Sequence, residues 1–416
     1  MNGVSLGKIR KILRENKDFY NLGSTMVVAY TVGATQSVLL AIYLRSLNFT
    51  TIEISLLVSI PGFAGILSGA ISGRISDYIG RKPIIVIGLL GYSIPWVIFR
   101  LSTSRTSFYV GRIVDGVTLT MFFTGIYAFI ADVFHKEKRG MAMGVFQSLA
   151  GIGMTLGPIL HMGLIYDKFG WNGYCTVSIL IFVVSGSLVQ LFVKESKPEH
   201  GTLAGSLEAF RNGLKTVKRS IQIPNLQHFR IRSPVTLLLI ALVINALGQT
   251  MITPLFPIYL LNLGISVPEM SVLFSLTALV TIVSPAIFGK LSDRIGRKKV
   301  LISMTMVSGV AMLMFPQVRS FTLILVVRSF TSLGSSVVAP VGLALLSDFV
   351  PSSRRGTGIG IYQTLLRFDT SVWGIVGGIV AFYCGFDTIF LVGFLAALAS
   401  ALMVSFLVEE PAGSRT

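Results

Sequence analysis

Charge is scarce in this chain, and acidic charge is scarcest. Only 13% of its 416 residues are Asp, Glu, Lys or Arg, and 18 acidic side chains face 35 basic ones; a soluble globule carries about 25% charged residues. Two cysteines, Cys175 and Cys384, are too few for a disulfide framework or a metal cluster, and read as two free buried thiols. No G-x-x-x-x-G-K-[S/T] loop occurs, so ATP drive is not supported. No nucleophile–base motif and no metal-ligand spacing stand out, so neither an enzyme nor a cofactor or metal is expected. The first 18 residues are basic, without an apolar core or a cleavage site, and do not read as a signal peptide.

Apolar residues fill the space that charge leaves: 52% of the chain, with a mean hydropathy of +0.76. A hydrocarbon core about 30 Å thick takes roughly 20 apolar residues per helix. Twelve such segments can be read, at 20–44, 54–75, 83–101, 107–133, 141–166, 171–194, 236–262, 269–290, 299–316, 321–349, 357–383 and 386–408. An open strand would leave backbone groups unpaired in lipid, so the segments are expected to be helices. The predicted fold is an all-α integral membrane protein of twelve transmembrane helices.

The chain repeats itself. Gly73-Arg74-Ile75-Ser76-Asp77-Tyr78-Ile79-Gly80-Arg81-Lys82-Pro83 returns 216 residues later as Gly289-Lys290-Leu291-Ser292-Asp293-Arg294-Ile295-Gly296-Arg297-Lys298-Lys299. The same shift pairs Ile42-Tyr43-Leu44 with Ile258-Tyr259-Leu260, Glu53 with Glu269, Arg112 with Arg328, Asp132 with Asp348, Arg139-Gly140 with Arg355-Gly356, and Gln147 with Gln363. A duplicated membrane protein of two pseudo-symmetric six-helix halves follows, 1–194 and 236–416. The polar link between them, 195–235, carries Leu207, Phe210, Leu214, Val217 and Ile221 at helical spacing, with Arg211, Lys215, Lys218 and Arg219 on the other face. It reads as an amphipathic helix on the lipid surface, or alternatively as a disordered basic linker.

Basic charge sets the expected orientation. With the N-terminus cytoplasmic, inner segments hold 27 Lys and Arg and outer loops hold 5. Both termini and the linker are therefore expected inside. The formal charge of +17 follows this topology, so the basic residues do not read as a nucleic-acid surface.

The repeated loop resembles the signature G-x-x-x-D-R-x-G-R-[KR]-[KRP] between the second and third helices of the major facilitator superfamily, whose members move small solutes by alternating access. The second copy fits fully; the first has Tyr78 where the family has Arg. Gly73 and Gly289 are expected to let helices approach closely, and Gly80 and Gly296 to form tight turns. Asp77 can face the positive N-terminus of another helix, which in the family is helix 11. Arg81 with Asp132, and Arg297 with Asp348, complete what the resemblance implies is an inner latch.

Other segments extend the likeness. Arg112-Ile113-Val114-Asp115-Gly116 resembles the family's R-x-x-x-G motif in helix 4, associated with proton transfer. Charges inside membrane helices are costly and usually functional, and Arg112 and Asp115 share a helix face. Proton coupling and simple mutual neutralisation both stay open. Gly144, Gly153 and Gly157-Pro158 resemble the family's antiporter motif in helix 5, but His161-Met162 stands where the motif ends in Gly-Gly; close helix packing is the alternative. His161 reads as a hydrogen-bonded wall residue. Helix 11 carries Arg367 and Asp369 where the first half has Gly151 and Gly153, as a structural ion pair or as a substrate or proton group. In this family helices 1, 4, 7 and 10 line the cavity, giving Tyr30, Gln36, Tyr127, Asn245, Gln249, Arg328, Thr331, Ser335 and Ser336 as candidate contacts. Helix 1 carries no acidic residue, unlike many multidrug members.

The resemblance implies a monomeric plasma-membrane transporter exchanging protons for a small organic solute, resembling the drug:proton antiporter branch. Its solute and protons would be its partners. A metabolite importer or uniporter is the alternative, and a non-transporting membrane sensor is the reading from a different class. Asp115 is the preferred proton carrier and Asp369 the next.

Overall fold

A computed structural model describes residues 17–196, 233–350 and 355–408. The amphipathic segment expected at 195–235 lies almost wholly outside the described residues, as do both ends of the chain. The described residues form α1 (Lys17–Ser46), α2 (Thr51–Ile79), α3 (Arg81–Gly91), α4 (Ser93–Leu101), α5 (Arg105–Val133), α6 (Lys136–Gly157), a π-helical stretch (Pro158–Tyr166), α7 (Asp167–Phe192), α8 (Pro234–Ile252), α9 (Phe256–Asn262), α10 (Val267–Ile295), α11 (Arg297–Met314), a short 3₁₀ turn (Phe315–Gln317), α12 (Phe321–Phe349), α13 (Arg355–Cys384) and α14 (Phe386–Leu407).

Ten helical spans are long and apolar enough to cross a membrane. One of them, Lys138–Phe192, runs 55 residues, far longer than any bilayer needs, and breaks at Gly170 into two. A further helix, α13, is uniformly apolar only over Ser371–Cys384, because Arg367 and Asp369 interrupt its first half. Dividing the one and adding the other gives the twelve membrane helices among the described residues.

Proline accounts for the discontinuities that apolar runs alone do not reveal. The segment expected as one helix at 83–101 breaks at Tyr92, because Pro95 cannot donate to the Gly91 carbonyl. The one expected at 236–262 breaks between Ile252 and Phe256, where Pro254 and Pro257 both lack an N–H. Pro158 begins the π-helical stretch.

Helix starts are capped by short polar side chains. Ser104, Ser233 and Ser320 accept from backbone N–H groups of α5, α8 and α12. The repeated Glu53 and Glu269 are halves of capping boxes. Glu269 Oε2 accepts from Ser266 N at 2.8 Å while Ser266 Oγ accepts from Glu269 N at 3.4 Å. Thr50 and Glu53 make the same exchange at 2.8 and 3.2 Å. Gly80 and Gly296 open α3 and α11 with φ of 99° and 102°, a region an L side chain rarely adopts.

The described residues divide into two compact units, one from 17–39 and 60–196, the other from 40–59, 233–350 and 355–408. In the first, Gly125 of α5 sits against Ile84 and Ile85 of α3, Gly88 of α3 against Phe122, and Gly116 against Pro61 of α2. Lipid offers no hydrophobic drive between helices, so close backbone contact does the work. Trp96, Phe99, Trp171 and Tyr174 fill the space between α4 and α7. In the second unit Gly248 of α8 meets Gly393 of α14, and Gly334 of α12 meets Met304 and Ser308 of α11. Tyr259, Phe315 and Phe390 pack as a trio, with Tyr259 Oη donating to Phe315 O at 2.7 Å. Phe315 and Phe390 are the 216-shift partners of Phe99 and Tyr174. Large apolar side chains such as Leu101, Leu191, Phe330 and Phe406 stay exposed, as a lipid-facing surface requires.

Candidate functional site

Each copy of the repeated loop places one arginine between two aspartates. Arg81 Nη1 lies 2.7 Å from Asp77 Oδ1, and its Nε lies 2.7 Å from Asp132 Oδ2. Arg297 reaches Asp293 Oδ1 at 3.2 Å and Asp348 Oδ1 at 2.6 Å. The copies differ in depth: the Arg81 side chain is 11% exposed, and that of Arg297 is 31% exposed. Arg81 also donates to Ser76 Oγ at 3.1 Å, while the backbone N–H groups of Arg81 and Lys82 donate to the Glu195 carboxylate, both at 2.9 Å. Arg297 instead adds the Ala344 carbonyl, and Lys298 Nζ donates to the Ser405 and Val408 carbonyls at the end of α14.

Two expectations for the glycines of these loops do not hold. A Cβ built at Gly73 meets only Thr124 Cγ2, at an ordinary 3.8 Å, and one at Gly289 meets nothing within 4 Å among the described residues. Close approach is needed elsewhere. At Gly153 it meets Tyr30 Cβ at 2.8 Å, and at Gly157 Thr31 Cα at 2.9 Å; Gly144 stands in open space among the described residues. The second half of the glycine motif is therefore a contact between α6 and the backbone of α1, extended by Pro158 into the π-helical stretch.

Inside the first unit lies a chain of buried polar side chains. Arg112 is ion-paired with Asp115 one turn along α5, and both are buried. Asp115 Oδ2 also accepts from Gln36 Nε2 of α1 at 2.9 Å, and Gln36 Oε1 accepts from Tyr92 Oη at 2.5 Å. Asp115 Oδ1 has no hydrogen-bond partner among the described residues. Nearby, Thr35 and Tyr174 hydroxyls lie 2.9 Å apart, and Thr31 Oγ1 lies 2.9 Å from His161 Nε2. A buried charge needs both a partner and hydrogen bonds, and α5, α1 and the α3–α4 break supply them. His161 is buried on the π-helical stretch and does not line the cavity bordered by Gln36 and Tyr92.

A cavity of about 190 Å³ opens beside this chain, walled by Tyr30, Gln36, Tyr92, Phe122, Phe123 and Phe182. Of the candidate contacts in this unit, Tyr30 and Gln36 line it, whereas Tyr127 stacks on Phe123 behind the wall. Sequence reasoning missed Tyr92 and the three phenylalanines. The available signal was a hydroxyl placed mid-run at Tyr92, three residues before Pro95.

The second unit repeats the arginine without its acid. Arg328 matches Arg112, but Thr331 stands three residues on, where the first half has Asp115. The Arg328 guanidinium lies over the Phe256 ring, 4.5 Å from its centroid. Asp369 is buried and accepts from Thr250 Oγ1 at 3.1 Å; the Arg367 side chain lies outside the described set. Asn245 is buried, and Gln249 donates to Ser308 Oγ at 2.5 Å. Thr331, Ser335 and Ser336 donate to carbonyls of their own helix, at 2.9, 3.3 and 3.1 Å. Cys175 is buried as expected, but Cys384 is exposed at the end of α13, because it lies on that helix's last turn. Among the described residues no group of three or more His, Cys, Asp or Glu side chains is placed to hold a metal ion.

The sequence profile of the Major Facilitator Superfamily matches residues 22–243 and 238–416. The chain belongs to that superfamily. Its members are transporters, not enzymes, so this is a multi-pass membrane transporter with a small-molecule substrate. Multidrug resistance protein 2 of Bacillus subtilis is 24% identical over 89% of this chain and 91% of its own. Sialic acid transporter NanX of Escherichia coli is 24% identical over 82% of this chain and 80% of its own. The solved structure of the human organic anion transporter MFSD10 (TETRAN) covers 93% of this chain and 98% of its own at 15% identity, with a TM-score of 0.64, a likeness of fold.

Proposed function

We propose that this facilitator exports a small organic solute in exchange for protons, across a plasma membrane with both chain termini in the cytoplasm. The observation that carries the reading is the buried Arg112–Asp115 pair, bonded to Gln36 and through it to Tyr92 beside an aromatic-walled cavity. A carboxylate held in a membrane helix by an adjustable amide is suited to take up and release a proton. Relatives named for multidrug resistance support the direction. In this reading the halves 1–194 and 236–416 alternate between conformations, and the Arg81 and Arg297 clusters, with Asp77, Asp132, Asp293 and Asp348, act as the latch. The transporter works as a monomer and takes no nucleic acid.

One observation favours a second reading, import or uniport of a metabolite. His161 and Met162, where antiporters resembling this chain have a glycine pair, are both buried and make that part of the helix bulky. The test is reconstitution in proteoliposomes with an imposed pH gradient and a panel of labelled solutes. Proton-driven accumulation against a solute gradient, with protons moving the opposite way, supports export; accumulation with co-moving protons, or equilibration alone, supports the second reading.

A further inference from the structure

The cavity and the buried carboxylate share a side chain. Gln36 forms part of the cavity wall, and its amide joins Tyr92 Oη on one side to Asp115 Oδ2 on the other. An amide has a donor end and an acceptor end, and its neighbours decide which way it faces. With Asp115 ionised, Nε2 must face the carboxylate and Oε1 must accept from Tyr92. The Tyr92 proton is then spent on Gln36, and the hydroxyl offers the cavity only oxygen lone pairs. A proton on Asp115 turns that acid into a donor. Gln36 then satisfies it by turning over, so that Oε1 accepts from the acid and Nε2 donates to Tyr92 Oη. The Tyr92 O–H is released towards the cavity. No bond other than the one to the transferred proton is made or broken.

We propose that Gln36 and Tyr92 form a hydrogen-bond switch that reports the protonation of Asp115 to this cavity. The cavity takes an aromatic ring whose polar substituent is a hydrogen-bond donor when Asp115 is ionised. Size and chemistry fit. An apolar cavity of about 150 Å³ holds a benzene ring, and this one has about 190 Å³. Its lining includes five aromatic rings, and Gln36, Tyr92 and Tyr30 are its lining residues with polar side-chain groups. A ring bearing an N–H donor competes with the proton, the relation that exchange requires; a ring bearing only an acceptor binds together with it. This rests on Asp115 as the proton site and adds the residues that make solute and proton read each other. Gln36 and Tyr92 act on Asp115 as positioning residues.

The groups facing Asp115 are Arg112 on α5, Gln36 on α1, Tyr92 at the α3–α4 break and Tyr174 on α7. His161 reaches the cluster only through Thr31 and the edge of Tyr174.

Equilibrium dialysis of the purified full-length protein against three probes tests the switch: indole, a donor only; acetophenone, an acceptor only; and N-methylindole, a ring with neither. Between pH 4.5 and 8.5 indole binding should tighten, acetophenone binding should weaken, and N-methylindole should not change. Asp115→Asn places an amide donor where the protonated acid would be. At pH 8.5 it should bind indole about fivefold more weakly and acetophenone about fivefold more tightly, one neutral hydrogen bond each. Gln36→Leu should remove the pH dependence for both probes while ring binding stays. Tyr92→Phe, which keeps the ring, should abolish the pH-dependent part of the discrimination among the three. His161→Gln should leave the wild-type profile unchanged. Flat profiles in wild type, an intact profile in Gln36→Leu, or a profile lost in His161→Gln would each overturn the proposal. If Asp115→Asn abolishes proton-driven transport but leaves probe preference untouched, the switch is wrong and the proton reading stands. If preference inverts while proton drive survives, the switch stands and the proton reading fails.

Discussion

Gln36 donates to Asp115 across the α1–α5 packing at 2.9 Å, so a neutral amide completes the shell of a carboxylate that Arg112 neutralises from its own helix. Arg112 can only donate to the acid, whereas the Gln36 amide can reverse its hydrogen-bond sense. That asymmetry separates Asp115 from the loop aspartates. Asp77, Asp132, Asp293 and Asp348 pair with arginines at the end of the bundle, where each is at least partly exposed.

The loop clusters predict unequal mutants. Asp77→Asn should cut transport strongly with normal membrane insertion, because it weakens a contact to the better buried arginine. Such helix-end contacts contribute about 0.3–1 kcal/mol, up to about 2 when partly buried, enough to shift a conformational equilibrium without unfolding the protein. Asp293→Asn should be milder, since Arg297 is more exposed and exposed ion pairs contribute about 0–1 kcal/mol. Initial transport rates at matched membrane abundance decide it; wild-type rates in Asp77→Asn would end the latch assignment.

The glycine motif splits into a part that packs and a part that does not. Gly157→Ala forces a methyl group against the Thr31 backbone and should destabilise the protein by about 1–3 kcal/mol, the usual cost of overpacking. Gly144→Ala meets open space among the described residues and should leave thermal stability unchanged or slightly raised. Melting temperatures in detergent compare them. Equal effects would mean that the α6–α1 contact is not what the motif provides.

Much of the architecture was legible because lipid restricts what a backbone can do. Twelve apolar runs, a 216-residue repeat and paired motif loops lead directly to twelve helices. The Arg81–Asp132 and Arg297–Asp348 pairings are geometric neighbours as read, whereas the repeated Glu53 and Glu269 turn out to be capping-box residues that sequence reasoning did not name. What was not legible depends on depth and on helix breaks. Tyr92 sits at the discontinuity that Pro95 sets and bonds to Gln36, and no periodicity signals that pairing. The periodicity does not show that the Thr331, Ser335 and Ser336 hydroxyls each donate to a carbonyl of their own helix. Among the described residues Gly73 and Gly289 have no close neighbour to explain them by packing, whereas Gly153 and Gly157 are pressed against α1.

In the second unit the buried Asp369 accepts from Thr250 on α8 and has an oxygen, Oδ1, without a hydrogen-bond partner among the described residues. Asp369→Asn keeps the Thr250 contact and should retain folding, with a change in the number of protons moved per solute only if this acid also titrates in the cycle. Paired flux measurements of solute and protons, with the wild-type ratio as reference, read this. An unchanged ratio assigns Asp369 to structure.

The most direct test of the account is paired solute and proton flux in proteoliposomes carrying Asp115→Asn. Asparagine keeps the size of the acid and its hydrogen-bonding reach but cannot carry the proton. The account predicts that accumulation driven by a pH gradient is lost while downhill solute exchange continues, because binding and conformational exchange survive. Accumulation against a solute gradient at the wild-type level in Asp115→Asn would contradict it.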